Sequence, residues 1–250
     1  FEITDDVEYG IDTKILVRVN NAEQFDIMPL VGDFNFYGGI YRDVSLIITA
    51  PTCISLLDYA SPGVYLTQKS VTEKQAHIVA TVKLSNAATT KQVNVKVTVK
   101  DHDKTIQEIK RHVTLNAHSE GETIIPFTIQ NPRLWNGRDD PFMYRAEISL
   151  WENDKLLDKV IQPLGIRYYH VDHENRIIIN NKHLPLYGVC RHQDRAEIGN
   201  ALRSMHHEED TELMLEMGVN AVRLAHYLQA EYMYDLMDQS GIITWAEIPF

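Results

Sequence analysis

The chain of 250 residues carries 24 Lys and Arg against 35 Asp and Glu, which gives a formal net charge of −11. This acidic balance, with no run of basic residues, disfavours a surface for nucleic acid or anionic membranes, because both attract positive charge. Apolar residues make up 44% and charged residues 24%, the balance of a globular protein with a sizeable core. No apolar run approaches the roughly 20 residues of a membrane-spanning helix.

The chain ends and the two cysteines say little about localisation or disulfide bonding. Residues 1–6 contain no initiator Met and no basic region, so we expect the chain to begin inside a larger protein, and its localisation stays open. Cys53 and Cys190 lie far apart in the sequence. One disulfide between them is arithmetically allowed, but two thiols imply no framework and fix no compartment.

Residues 1 to about 165 are predicted to form β structure. Four valines from Val93 to Val99 alternate with Asn94, Lys96 and Thr98, a pattern that predicts one buried and one solvated face. The other main strand candidates are residues 11–19, 44–48, 78–84, 112–115, 125–129 and 144–150.

Two sandwiches are expected rather than one. Pro51 follows a predicted strand, and a new series of strands begins after it. Residues 51–166 have the size of an immunoglobulin-like sandwich, whereas residues 1–50 are too few for a sandwich of their own. We therefore predict that residues 1–50 are the C-terminal part of a preceding sandwich.

After residue 170 the pattern changes to alternating strands and helices. The predicted elements are a hairpin at 176–184 with Asn180 and Asn181 at its turn, an apolar strand at 184–190, a helix at 205–217 ending at Gly218, a strand at 219–224, a helix at 230–240 ending at Gly241 and a strand at 242–247. This βαβαβ order is the opening of an α/β barrel or of an open doubly wound sheet. No Gly-x-Gly-x-x-Gly loop follows a strand, which argues against a dinucleotide fold.

Ionisable residues follow each of these three strands. The first runs into the polar segment Arg-His-Gln-Asp at 191–194, the second carries Arg223 and then His226 and Tyr227, and the third ends at Glu247. In α/β barrels the carboxyl ends of the strands form the active site, so these residues are candidates for it. Solvation of strand ends is the alternative explanation. His206 and His207 show no metal-ligand spacing and are interpreted as surface residues.

The segment from Asn220 to Tyr227, Asn-Ala-Val-Arg-Leu-Ala-His-Tyr, with Asp238-Gln-Ser-Gly-Ile after it, resembles the signature of glycoside hydrolase family 2. That signature has Asn, Arg three residues later, His-Tyr-Pro, then Asp or Asn, Gly and an apolar run. The chain departs from it at three positions, Leu224, Leu228 and Thr244.

Further motifs resemble those of this family and follow one another along the sequence in the same order as in the family. They are Tyr-Gly-Gly-Ile-Tyr-Arg-Asp-Val at 37–44, Asn-Pro-Arg-Leu-Trp at 131–135, Asp-Pro-Phe-Met-Tyr at 140–144, Gly-Ile-Arg at 165–167 and Gly-Val-Cys-Arg-His at 188–192, where Cys190 replaces an Asn. The resemblance implies a mainly β, multidomain chain: the end of a jelly-roll sugar-binding domain (1–50), an immunoglobulin-like sandwich (51–166) and the truncated start of a TIM barrel (167–250).

The resemblance also implies retaining glycoside hydrolysis by two glutamates, one acting as acid/base and one as nucleophile. The acid/base lies in an Asn-Glu pair in this family, and no such pair follows residue 220. Both catalytic groups are therefore expected beyond Phe250, and the 250-residue chain alone is expected to be inactive.

Five residues resemble the family's substrate-binding or supporting positions. The structural alternatives are a hydrogen-bond donor for each histidine and a turn residue for Asp33. Arg223 resembles the arginine that holds the nucleophile, and it could equally form a structural ion pair. His192 and His226 resemble histidines that contact sugar hydroxyls. Asp33 resembles a sugar-binding aspartate of β-galactosidases, and Glu247 occupies the family's Asp-Glu position.

The resemblance points first to an exo-acting β-galactosidase that takes a β-linked oligosaccharide. The alternatives are a β-glucuronidase or β-mannosidase of the same family, and, from another class, a non-catalytic carbohydrate-binding sandwich protein. No nucleic-acid or membrane partner is expected, and a homo-oligomer stays open. No metal site or cofactor is predicted within the chain, since the ligands for the divalent cation of some β-galactosidases would lie beyond Phe250.

Overall fold

The computed structural model describes residues 1–28, 32, 34–248 and divides them into two compact units. The first unit comprises residues 1–3, 46–136 and 142–183, and the second comprises residues 4–45, 137–141 and 184–250. The predicted boundaries at 50 and 166 stay predictions. None of the described helices is long and apolar enough to cross a membrane.

The first unit is a two-sheet antiparallel sandwich followed by a small third sheet. Its strands are β1 (Thr52–Ile54), β2 (Val64–Val71), β3 (Gln75–Asn86), β4 (Lys91–Asp101), β5 (Lys104–Leu115), β6 (Ser119–Gln130), β7 (Tyr144–Glu152), β8 (Lys155–Leu164), β9 (Tyr169–Val171), β10 (Ile177–Ile179) and β11 (Lys182–His183). In one sheet β3 pairs with β1, β2 and β6, and the other has the order β5-β4-β7-β8. The predicted hairpin at 176–184 is confirmed as β10 and β11.

The core of this unit follows from strand periodicity. Val93, Val95, Val97 and Val99 are at most 1% exposed, as their alternation predicts. The opposite face of β4, which was predicted to be solvated, is more buried than expected. Thr98 is buried and Asn94 is only 9% exposed. The reason is position, since β4 lies between β5 and β7 and the side chains of these neighbours flank it on both sides.

The region before Thr52 differs from the prediction. Among the residues described there, the structure has a 3-10 turn at Thr4–Asp6 and no strand. The strands predicted at 11–19 and 44–48 are therefore absent. A strand persists when a neighbour completes its hydrogen bonds, and no described segment pairs with either stretch. Apolar side chains such as Ile11 and Val44 are consequently exposed.

The second unit contains the predicted alternating elements. They are β12 (Gly188–Arg191), α1 (Ser204–Glu216), β13 (Ala221–Leu224), α2 (Glu231–Ser240) and β14 (Ile243–Ala246). The three strands are parallel in the order β12-β13-β14, and Met214, Val222 and Met237 belong to the core that packs the helices against them. Gly218 and Gly241 have φ of +77° and +72°, a left-handed conformation at the ends of the helices that glycine adopts at no steric cost.

Two buried asparagines of the sandwich differ in their hydrogen bonding, so we expect an Asn→Val substitution to have opposite effects on stability at the two positions. The Oδ1 atom of Asn94 is buried without a hydrogen-bond partner, whereas the side chain of Asn86 bonds to Thr52, Ala88, Thr89 and Asn116. We expect Asn94→Val to stabilise the sandwich by about 1 kcal/mol, because it removes an unsatisfied polar atom from a strand.

The matched substitution Asn86→Val should destabilise the sandwich by about 2 kcal/mol or more, because its partners lose their bonds. Urea unfolding of both variants measures the difference. Equal destabilisation by the two substitutions would show that Asn94 is satisfied in solution.

Candidate functional site

Parallel pairing places the carboxyl ends of three strands at one edge of the sheet. Cys190 of β12 is in register with Arg223 of β13, and Arg223 is in register with Trp245 of β14. His192, His226 and Glu247 follow these strand ends. The structure thus brings four of the five predicted site residues to the same edge, and Asp33 lies outside the described residues.

Arg223, His226 and Glu247 form one ionic cluster at this edge. The Arg223 Nε–H group donates to Glu247 Oε1, and His226 Nδ1 lies 2.7 Å from Glu247 Oε2. His226 Nδ1 also lies 3.2 Å from Arg223 Nη2, which can only donate. One ring nitrogen cannot donate and accept at once, so the shorter contact to a carboxylate favours a proton on Nδ1. The Ala225–His226 peptide is cis.

The cluster keeps Glu247 ionised. The hydrogen bond from Arg223 holds the pKa of the Glu247 carboxyl below its usual value, against partial burial, and the bond from His226 acts in the same direction. Glu247 correspondingly raises the pKa of the Arg223 guanidinium. A carboxylate held in this way accepts hydrogen bonds well but donates a proton poorly, so Glu247 is suited to orient cationic groups.

Aromatic rings border the cluster. The ring centroids of His192 and His226 are 5.2 Å apart, and Phe34 lies 5.7 Å from His226 and 6.1 Å from His192. Tyr227 adds a further ring, 5.1 Å from Phe34. The residues next to the charged groups are therefore flat and partly apolar, the kind of lining that ring-shaped ligands favour.

The thiol of Cys190 also reaches the cluster, with its Sγ atom 3.8 Å from Arg223 Nη1. Cys190 is exposed and Cys53 is buried, and both are free, so the disulfide that the cysteine count allows is not formed. In the family motif an Asn occupies the position of Cys190. Here the sulfur, rather than an amide, lies beside the guanidinium.

A second, buried network lies behind the edge. Arg191 is 7% exposed, and its Nε and Nη2 atoms donate to Asp210 Oδ2 of α1 at 2.9 and 2.7 Å. Its Nη2 also lies 3.0 Å from His207 Nδ1, and its Nη1 donates to Gln229 Oε1. Asp210 in turn accepts from Arg195 at 2.9 Å. The buried guanidinium thus has a carboxylate partner and two neutral acceptors, as a buried charge requires.

His207 corrects a sequence-based interpretation. It was expected at the surface, but it is only 2% exposed. Burial, reinforced by the positive charge of Arg191, lowers the pKa of His207 to about 4. His207 is therefore neutral at physiological pH and accepts from Arg191. A helix turns by about 100° per residue, which is why His206 remains half-exposed beside it.

Comparisons with known proteins place the chain in a family. Residues 62–167 match the family model described as "Glycosyl hydrolases family 2", and residues 170–250 match "Glycosyl hydrolases family 2, TIM barrel domain". The chain belongs to glycoside hydrolase family 2. The sandwich is accordingly one of the family's sandwich domains, and β12 to β14 with their helices are the start of its TIM barrel.

Individual members of the family are similar over nearly the whole chain. A beta-glucuronidase of Bacteroides fragilis is 62% identical over 100% of this chain and 36% of its own length. A beta-galactosidase of Bacteroides ovatus is 28% identical over 99% of this chain and 28% of its own length. The structure of Bacteroides uniformis beta-glucuronidase 2, covalently bound to cyclophellitol-6-carboxylate aziridine, superposes with a TM-score of 0.88 at 33% identity and covers 93% of this chain and 28% of that one.

The chain therefore spans about a third of the length of the curated relatives it matches. The predicted membership of glycoside hydrolase family 2 is confirmed. The preference for a β-galactoside is not confirmed, because the relative with 62% identity carries the name of a glucuronidase.

Several residues at the edge escaped the sequence analysis. Phe34 lies in the short aromatic segment Phe-Asn-Phe-Tyr at 34–37, which no predicted element includes. Gln193 was expected only as part of the polar segment after the first strand and Gln229 only as a loop residue, but the two are 2% and 3% exposed. Only the register of the strands shows that these residues converge. Among the described residues, no group of three or more His, Cys, Asp or Glu is arranged to hold a metal ion.

The buried His207 predicts a pH dependence of stability. The unfolded chain takes up the His207 proton near its ordinary pKa of 6.5, and the folded chain does so near 4. The stabilisation is thus complete above about pH 6.5 and is lost as the pH falls towards 4. We expect this loss to amount to about 3 kcal/mol.

Urea unfolding followed by the helical circular-dichroism signal measures the effect, because both described α-helices belong to the second unit. The variant His207→Gln should flatten the dependence between pH 6.5 and 4. The control His173→Gln alters a histidine whose side chain is 86% exposed and should leave it unchanged. An identical slope in all three proteins would contradict the assignment to His207.

Proposed function

We propose that this chain is part of an exo-acting, retaining β-glucuronidase of glycoside hydrolase family 2. The observation that carries the proposal is the 62% identity, over the whole chain, to the beta-glucuronidase of Bacteroides fragilis. Identity to the Bacteroides ovatus beta-galactosidase is 28% over a similar span. This difference favours the glucuronide over the galactoside that the motifs alone suggested.

The solved relative from Bacteroides uniformis supports both the sugar and the mechanism. Its ligand carries a carboxylate at position 6 and is bound covalently. A retaining glycosidase forms a covalent glycosyl-enzyme, with two carboxyl groups about 5 Å apart acting as nucleophile and acid/base. We infer that other parts of a longer protein supply these two groups.

The residues of this chain would then bind the sugar and orient the nucleophile. In the proposal Arg223, already held by Glu247, stabilises the ionised nucleophile, since a neighbouring cation favours a carboxylate. His192 and His226 would contact sugar hydroxyls, and Phe34 and Tyr227 would border the sugar ring. Asp33 remains a proposed sugar contact, because a carboxylate accepts hydrogen bonds from two hydroxyls.

The proposal predicts the substrate preference of the full-length protein that carries this sequence. Its kcat/KM for an aryl β-glucuronide should exceed that for the matching aryl β-galactoside and β-mannoside by about 100-fold or more. A site that pairs a substrate carboxylate leaves its own charged groups unpaired when that carboxylate is missing.

The three aryl glycosides should be assayed side by side with the same leaving group, so that differences reflect the sugar alone. The 250-residue chain, purified free of contaminating glycosidases, serves as the inactive control. A preference for the galactoside or the mannoside would contradict the glucuronide proposal while leaving the family membership intact.

A further inference from the structure

The segments after β12 and β13 are joined by a set of side-chain hydrogen bonds. Gln229 is 3% exposed, and its Nε2 atom donates to the Arg191 carbonyl oxygen at 2.9 Å, while its Oε1 atom accepts from the Arg191 guanidinium. One buried amide thus holds both the main chain and the side chain of the same residue. The Arg191 carbonyl also accepts from the Ala225 N–H group at 3.0 Å.

Gln193 makes the reciprocal connection from the other segment. Its Oε1 atom accepts from the Ala230 N–H group at 2.6 Å, and its own N–H group donates to Tyr227 Oη at 3.2 Å. Ala230 is the N-cap residue of α2 and has no side chain that could cap the helix. Gln193 accepts from the N–H group of Ala230 itself, one of the N–H groups at the helix end that have no partner within the helix.

His192 and His226 lie between the residues that make these hydrogen bonds. His192 stands between Arg191 and Gln193, and His226 stands between Ala225 and Tyr227, so residues on both sides of each histidine are bonded to the opposite segment. The ring centroids are 5.2 Å apart. The bonds across the two segments thus fix the separation of two rings that otherwise belong to independent loops.

We propose that Gln193 and Gln229 are positioning residues that set the separation of His192 and His226 and thereby the affinity for substrate. This inference rests on the proposed function, in which the two histidines contact the sugar. Both glutamines are buried, and the side-chain hydrogen bonds described here run to the opposite segment, so we expect neither side chain to contact the sugar directly. Their loss should therefore weaken binding more than it slows the chemical step.

The variant Gln193→Met tests this, because it keeps the length of the side chain and removes the acceptor for Ala230. In the full-length protein we expect KM to rise about tenfold, equivalent to about 1.4 kcal/mol, and kcat to change by less than about threefold. The variant Gln193→Glu keeps the acceptor, at a helix N-terminus where negative charge is favourable, and should restore KM to within about threefold of wild type.

Met214→Ala is the matched control. Met214 is 5% exposed in the core of the same unit and makes none of these bonds, so its truncation lowers stability without altering the loop connection. KM should stay at the wild-type value. If Gln193→Met does not fold, the milder Gln193→Asn, which withdraws the acceptor by one methylene, should raise KM several-fold.

KM is measured with whichever aryl glycoside the wild-type protein turns over, which separates the two proposals. A wild-type protein that prefers another sugar refutes the glucuronidase assignment but still allows this test. An unchanged KM in the folded Gln193 variants, or an equal rise in Met214→Ala, would overturn the positioning role. Failure of Gln193→Glu to restore KM would overturn it as well.

Discussion

The parallel register of β12, β13 and β14 is the constraint on which the candidate site depends. Because the strands are hydrogen-bonded in register, residues far apart in sequence follow one another along a single edge. The register is held by burial: Val222 and Leu224 of the central strand are at most 1% exposed beneath the helices. A shift of β13 by one residue would exchange Arg223 with its buried neighbours and dismantle the ionic cluster.

Two sets of polar residues lie at or behind this edge, and their physical roles differ. The cluster of Arg223, His226 and Glu247 is partly exposed, so its charges are available to a ligand. The network around Arg191 is buried, and its guanidinium donates to Asp210, His207 and Gln229. The buried network thus connects the loops, whereas the partly exposed cluster is the one that we propose to act on a substrate. Neutral His207 belongs to the supporting network, because a second positive charge beside Arg191 would oppose it.

Sequence patterns predicted the elements that periodicity encodes and missed what depends on tertiary packing. The valines of β4, the asparagine hairpin and the helices that end at Gly218 and Gly241 carry local signals, and the structure contains them. The burial of His207 carries no local signal, since it depends on which face of α1 meets Arg191. The hydrogen bonds between the loops of Gln193 and Gln229 likewise cannot be predicted before the strand register is known. The strands expected before Thr52 failed because alternation alone provides no pairing partner.

In the proposed function, the cluster of Arg223, His226 and Glu247 serves glycoside hydrolysis rather than folding alone. The most direct test is the kcat/KM of Arg223→Ala in the full-length protein, measured together with its unfolding midpoint. We expect kcat/KM to fall about 100-fold or more, the scale of a preorganised electrostatic contact, with little change in the unfolding midpoint. Near-normal turnover, or a loss of activity explained by unfolding, would contradict it.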